Sequence, residues 1–320
     1  MFDPILIPLD GSLLSECVLP HAVALARAYD ARIILLRVLE KSNANGAVQI
    51  FDLLNWQIRK TEAKLYLEKI SAQLKKSQIR IEAVVMEGLM AETITEFAQA
   101  QGVNLIILSS HGRSGVSQWG ISSVAQKIIL GSPTSVMIVR AQQPVASEWK
   151  EQSYRQILVP LDGSQRAEYA LPLVTPLARS HKSLTHILEV VKTPEMVRRL
   201  PPTQEDIDLA DRIVKLNLEE ARQYLEQVES RSHLDGIDIQ THLVTSDNAS
   251  QALHELVEQE NIDMVAMNAH GHLGNNQWPY GSMVINLILY GKVPLLIVQD
   301  LPTKKDPTLV DTTTREHPEQ

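Results

Sequence analysis

The chain has 320 residues, 44% of them hydrophobic, with a formal net charge of −8. That length accommodates two ordinary domains, each able to bury its own core. An acidic chain without a concentrated basic face argues against a nucleic-acid binder, and no apolar run nears the ~20 residues that cross a bilayer. The N-terminus, MFDPILIPLDGS, has neither a basic region nor a signal-type apolar core, so the cytoplasm is the expected location. Cys17 is the single cysteine, which excludes an internal disulfide or a thiolate metal cluster within one chain. It is expected as a buried helix residue.

Residues 5–9 form a short apolar run closed by Asp10-Gly11-Ser12, the pattern of a buried strand ending in a turn. A helix is predicted over 14–29, with Val18, Leu19, Ala22, Leu25 and Ala26 at helical spacing and Ser12 or Ser15 to cap its start. The uninterrupted apolar character of 32–38 predicts a strand covered on both faces, as in a parallel sheet. After a polar loop at 41–48, an amphipathic helix is predicted over 53–76, its stripe made by Leu65, Leu67, Ile70 and Leu74. Residues 79–86 alternate as a strand, 90–101 read as a helix with Gly102 as a left-handed cap, and 105–108 is a strand. A helix over 122–130, stopped by Gly131-Ser132-Pro133, and a strand over 136–139 complete this half.

Residues 142–152 lack periodicity and read as a linker. The order then begins again, because ILVPLDGS at 157–164 matches ILIPLDGS at 5–12. Strands are predicted at 184–191, 238–244, 264–267 and 295–299. Helices are predicted at 166–180, 205–230, 249–260 with Asn248 as cap, and 282–290. The connection over 192–204 holds Pro194, Pro201 and Pro202, which exclude regular helix there and leave a surface crossover or a lid. Two domains, 1–141 and 153–300, are expected, followed by a polar tail at 301–320 expected to be disordered.

The most distinctive stretch is also repeated: SSHGRSGVSQWGISSV at 109–124 and NAHGHLGNNQWPYGSM at 268–283. Each follows an apolar strand and feeds the first turn of a helix, where unpaired backbone N–H groups suit a phosphate. Alternating strands and helices imply right-handed crossovers and a doubly wound, parallel, five-stranded α/β sheet in each half. Ligands of such sheets bind beyond the carboxyl ends of the strands, where both Asp-Gly-Ser turns and both loops lie.

On these residues the chain resembles a tandem universal stress protein: PLDGS at 8–12 and 160–164, His-Gly at His111-Gly112 and His270-Gly271, and the helix-opening Ser123 and Ser282. The resemblance implies a Rossmann-like, adenine nucleotide alpha hydrolase-like fold with ATP or AMP as ligand, with or without Mg2+. It assigns Pro8, Asp10 and Val38, and likewise Pro160, Asp162 and Val190, to the adenosine pocket. In the nucleotide-binding branch the loop runs Gly, two residues, Gly, nine residues, Gly, then Ser or Thr. In the second half Asn268 takes the first glycine's place, while Gly271, Gly281 and Ser282 keep the spacing and His270, His272, Gly274 and Met283 complete the loop. In the first half Ser109 and Ser122 replace two glycines, leaving Gly112 and Ser123 beside His111, Arg113, Gly115 and Val124. If the helix-opening glycine needs positive φ or a bare approach to phosphate, Ser122 costs roughly 1–2 kcal/mol or blocks the oxygen. That favours the second half, although only the first loop carries a cation, Arg113.

The expected function is therefore a non-catalytic adenine-nucleotide-binding stress-response protein. Its rivals are an interaction module that binds no nucleotide and a weak ATPase. No GxxxxGK[ST] segment is present, and neither a nucleophilic triad nor a third ligand beside His270 and His272 is evident. Asp10 and Asp162 either reach ribose or a metal-bound water, or cap the following helix. Ser123 and Ser282 either donate to phosphate or serve only as helix residues. Trp119 and Trp278 read as loop packing rather than base stacking. The apolar closing strands at 136–139 and 295–299 are expected to pair across the halves and hide both edges, as the resemblance implies. A homo-oligomer built on that internal pseudo-dimer and an unidentified protein partner are expected; no nucleic acid or membrane is.

Overall fold

A computed structural model describes residues 2–40, 50–112, 121–141, 152–194, 203–271 and 280–299, the side chains of 50–53 and 234 aside. The apolar runs of the first half become strands β1 (Ile5–Pro8), β2 (Ile33–Leu39), β3 (Ile81–Glu87), β4 (Leu105–Ser109) and β5 (Ser135–Val139). Those of the second become β6 (Gln156–Leu161), β7 (Leu184–Val191), β8 (Asp238–Thr245), β9 (Met264–Asn268) and β10 (Leu295–Val298). Between them run helices α1 (Leu19–Tyr29), α2 (Ile50–Leu74), α3 (Met90–Ala100) and α4 (Ser123–Gly131), then α5 (Leu171–His181), α6 (Gln204–Leu234), α7 (Ala249–Gln259) and α8 (Ser282–Tyr290).

Each half is a parallel five-stranded sheet, and the two are one. The strand order is β3-β2-β1-β4-β5-β10-β9-β6-β7-β8, continuous through an antiparallel pair in which Leu295, Leu296 and Ile297 face Ile138, Met137 and Val136. The closing strands thus pair as expected, and what would be two exposed apolar edges becomes the middle of a ten-stranded sheet. Alternate strand residues enter two cores that both span the halves. Ile33 and Leu35 join the core under α1, α2, α5 and α6, while Ile34 and Leu36 join the core under α3, α4, α7 and α8. All four are fully buried, which is why the strand reads as an unbroken apolar run.

Side-chain bonds fasten the junction. At the C-terminus of α8, Arg140 Nη2 donates to the carbonyls of Leu287 and Ile288 at 2.6 and 2.9 Å. In return the Tyr280 hydroxyl donates to Ile129 O in the last turn of α4 at 2.7 Å and accepts from Gln299 Nε2 at 3.0 Å. Each half therefore satisfies helix-terminal carbonyls of the other. On the opposite face Tyr29 Oη donates to Leu173 O, and buried His21 and Tyr154 share a hydrogen bond.

Two local expectations change. Leu65 is not part of the α2 stripe: it is 60% exposed, and the buried face is Ala63, Leu67, Ile70 and Leu74. At about 100° per residue Leu65 points some 200° away from Ala63 and Leu67 alike. The first and fifth helices open as 3-10 turns, Ser15–Val18 and Ala167–Ala170, before the α-helix proper. Cys17 lies in the first of these turns, buried, and burial pushes its thiol up to about 11. Gly102 has φ +61 as its cap role requires, and Asn248 Oδ1 accepts from Gln251 N at 3.1 Å.

Candidate functional site

In each half the strand order reverses between two neighbours, β1 and β4 in the first and β6 and β9 in the second, so that a crevice opens at their carboxyl ends. The turn after β1 is self-locking. Asp10 Oδ1 accepts from Ser12 N at 2.9 Å and from Ser12 Oγ at 2.6 Å, and Ser12 Oγ in turn accepts from Ser15 N at 3.1 Å. Ser12 is therefore the cap of the helical turn, and Asp10 holds Ser12. The second half repeats this with Asp162, Ser164 and Ala167 at 3.1, 2.6 and 3.1 Å.

The other carboxylate oxygen explains the His-Gly pair. A Cβ built on Gly112 would overlap Asp10 Oδ2, and one on Gly271 would overlap Asp162 Oδ2. The glycine lets the loop after β4 or β9 lie directly against the carboxylate of the first turn. The residues that replace the loop's first glycine are also alike in what they bind, since Ser109 Oγ donates to His111 O and Asn268 Nδ2 donates to His270 O at 3.1 Å. Leu14 O, 3.2 Å from Ser109 Oγ, is the alternative acceptor for its one proton and brings loop and turn together. Both loops close at a backbone neck, Ser122 N to Ser110 O at 2.7 Å and Gly281 N to Ala269 O at 2.9 Å. His111 is buried, with its Nδ1 3.1 Å from Ser110 Oγ, the arrangement of a loop-orienting histidine; Ser110 itself is buried and accepts from Ala141 N at 3.0 Å.

The backbone part of the defect expected at Ser122 disappears. Ser122 has φ −72 and ψ 155, Gly281 has φ −70 and ψ 161, and an added Cβ at Gly281 would meet nothing nearer than Ala269 O at 3.7 Å. The position is an extended N-cap that any residue adopts, and Ser122 Oγ uses it to accept from Ala125 N at 3.2 Å. Serine in place of glycine thus turns an uncapped helix into a capped one. The next residues, Ser123 and Ser282, are both exposed at the first turn of their helices.

In the first half these parts enclose a cavity of about 380 Å³. Of the residues expected there, Pro8, Asp10, Val38, Ser109, His111, Gly112, Ser122, Ser123 and Val124 all line it. Motif and spacing missed much of the remaining lining, including an apolar wall of Leu36, Met90, Ile94, Leu108 and Ile128, and the charged Arg37, Glu40 and Arg59. Arg37 carried a visible signal, being the one charge inside the run Ile33–Leu39, whereas Arg59 sits on a helix too distant in sequence to be linked to the loop. In the second half Pro160, Asp162, Val190, Asn268, His270, Gly271, Gly281, Ser282 and Met283 occupy the matching positions. Arg113, Gly115, Trp119, His272, Gly274, Asn275, Asn276 and Trp278 lie outside the described residues. Among the described residues no three His, Cys, Asp or Glu stand together as a metal site. No described helix is long and apolar enough to cross a membrane.

A model of the universal stress protein family matches residues 1–140 and again 153–299. The chain belongs to the universal stress protein family. A universal stress protein of Methanocaldococcus jannaschii is 28% identical over 142 residues, covering 44% of this chain and 83% of the relative. The universal stress protein YxiE of Bacillus subtilis is 30% identical over 149 residues, 44% of this chain and 100% of the relative. Each relative thus aligns with less than half of a chain in which the family pattern occurs twice. A crystal structure of a universal stress protein from Archaeoglobus fulgidus covers 92% of this chain and 98% of its own, with a TM-score of 0.65 at 19% identity, a likeness of fold.

Proposed function

We propose that this universal stress protein is a non-catalytic binder of an adenine nucleotide, ATP or AMP, in stress response, and that the first-half cavity is its site. The observation that carries the reading is the cavity itself. It lies at the reversal of strand order, and its lining combines an apolar wall, the Asp10 carboxylate and the start of α4. Leu36, Val38 and Ile94 would hold the base and Asp10 would meet the ribose. The N–H groups of the first turn of α4, with the Ser123 hydroxyl, would meet phosphate. The nucleotide, with or without Mg2+, would supply recognition rather than chemistry.

The reading includes a cytoplasmic, homo-oligomeric protein with an unidentified protein partner. Its rival is an interaction module without nucleotide, and a weak ATPase ranks third. The test is to denature the purified protein, identify any released nucleotide, and titrate the refolded or nucleotide-free chain with ATP and AMP. No released nucleotide and no saturable binding up to millimolar concentration would sink the reading. Gly112→Val drives a side chain into Asp10, and should weaken binding at least tenfold, about 1.4 kcal/mol, in a chain whose circular dichroism is unchanged.

A further inference from the structure

Among the described residues the two halves share the Asp-Gly-Ser turn, the glycine against its carboxylate and the backbone neck, yet differ in charge at one half-buried position. Strand register makes Leu36 equivalent to Leu188, because Pro8 pairs with Leu36 and Pro160 with Leu188; Arg37 is then equivalent to Glu189. Arg37 lines the first cavity, its Nη1 donates to Leu9 O at 3.1 Å, and its guanidinium lies 3.1–3.3 Å from where a Cβ of Gly11 would be. Glu189 reaches the same turn in the second half, its Oε1 3.8 Å from where a Cβ of Gly163 would be.

We propose that this exchange makes the halves unequal, so that the first half takes the nucleotide and the second, with Glu189 in place of Arg37, excludes it, giving one nucleotide per chain. The inference rests on the reading of the first-half cavity as a nucleotide site. A nucleotide brings several negative charges, and a half-buried charge is poorly screened by water and salt. Around the first site the half-buried Arg37 shares the lining with Asp10, while Glu62, beside Arg37, holds the place that Glu220 has in the second half. Around the second, Glu189 already feels the negative charges of Asp162 and Glu220. Its Oε2 is buried without a hydrogen-bond partner in the described residues. Tyr66 and Tyr224 hold matching places beside Glu16 and Glu168, which puts Asn217 where the first half has Arg59. These two exchanges, Arg59 to Asn217 and Glu40 to Lys192, weigh little in either direction, because all four side chains are exposed and their charges lie in water; the half-buried pair Arg37 and Glu189 is what separates the halves. The loops run the same way, with Arg113 in the first and no Arg or Lys in the second. When ionised, Glu189 repels a phosphate, and when protonated it still supplies no cation.

Isothermal titration of ATP into the full chain at pH 8 and two salt concentrations tests this. The wild type should take one ATP per chain. Arg37→Glu should weaken that binding roughly ten- to hundred-fold and Arg37→Lys should largely rescue it, as expected for charge acting across a low-dielectric site. The Arg37→Glu chain should also show a flatter salt dependence. Glu189→Arg should add a second site. Two sites in the wild type, or Arg37→Glu binding as the wild type does in a chain of unchanged circular dichroism, would overturn the inequality while leaving nucleotide binding intact. So would a stoichiometry of one in a well-folded Glu189→Arg. Absence of any binding by the wild type would overturn the nucleotide reading, and this inference with it.

Discussion

Single atoms decide most of the site's chemistry. The glycine of each His-Gly pair is required by Asp10 Oδ2 or Asp162 Oδ2, a contact between segments some hundred residues apart in sequence. The motif is readable in the chain, and the reason for it is not. Glu189 is a second such case. Burial, then the charges of Asp162 and Glu220, push its carboxyl up to about 7 from 4.5. The folded chain thus holds a proton there that the unfolded chain releases between those values. Stability from this group is full below about pH 4.5 and is lost as pH rises through about 7. Glu189→Gln should therefore raise the unfolding free energy measured in urea at pH 8, by on the order of 1 kcal/mol once partial exposure is allowed for, and change little near pH 4.5. An equal gain at both pH values would show that the effect is packing rather than ionisation.

At the level of elements, the strands were legible because residues buried on both faces of a sheet read as unbroken apolar runs, Ile33 to Leu36 above all. The helices were legible in existence and less so in face: Leu65 is apolar and lies in water, since periodicity over a long helix does not say which stripe meets the sheet. The helix-opening position was the hardest to read. A glycine in a motif suggests left-handed backbone, whereas the dihedral angles at Gly281 and Ser122 are those of an ordinary N-cap. Ser122→Ala should accordingly lower stability by about 1 kcal/mol through loss of the bond to Ala125 N, measured as a shift in denaturation midpoint. Gly281→Ser should raise it by a few tenths. A destabilised Gly281→Ser would mean that the bare backbone there has a role that the cap geometry does not reveal.

For the whole molecule, the joined sheet and the exchanged helix caps predict that the two halves unfold together. Tyr280→Phe removes the hydroxyl that donates to Ile129 O and accepts from Gln299, leaving buried groups without that partner. It should cost about 1–2 kcal/mol, with an unchanged denaturant m-value if the halves still unfold together. A lowered m-value or a split transition would instead show that this contact is what couples them.

The sequence by itself determined the repeat and the α/β class, because these depend on local pattern and on motifs of fixed spacing, and the resemblance implied the pairing of the closing strands. Only the tertiary structure decided what those motifs are for. The carboxylate against glycine, the apolar wall from α3 and α4, the exchanged caps, and the opposition of Arg37 to Glu189 all arise where segments distant in the chain meet at the carboxyl edge or at the seam of one sheet. Spacing along the chain carries no record of those meetings.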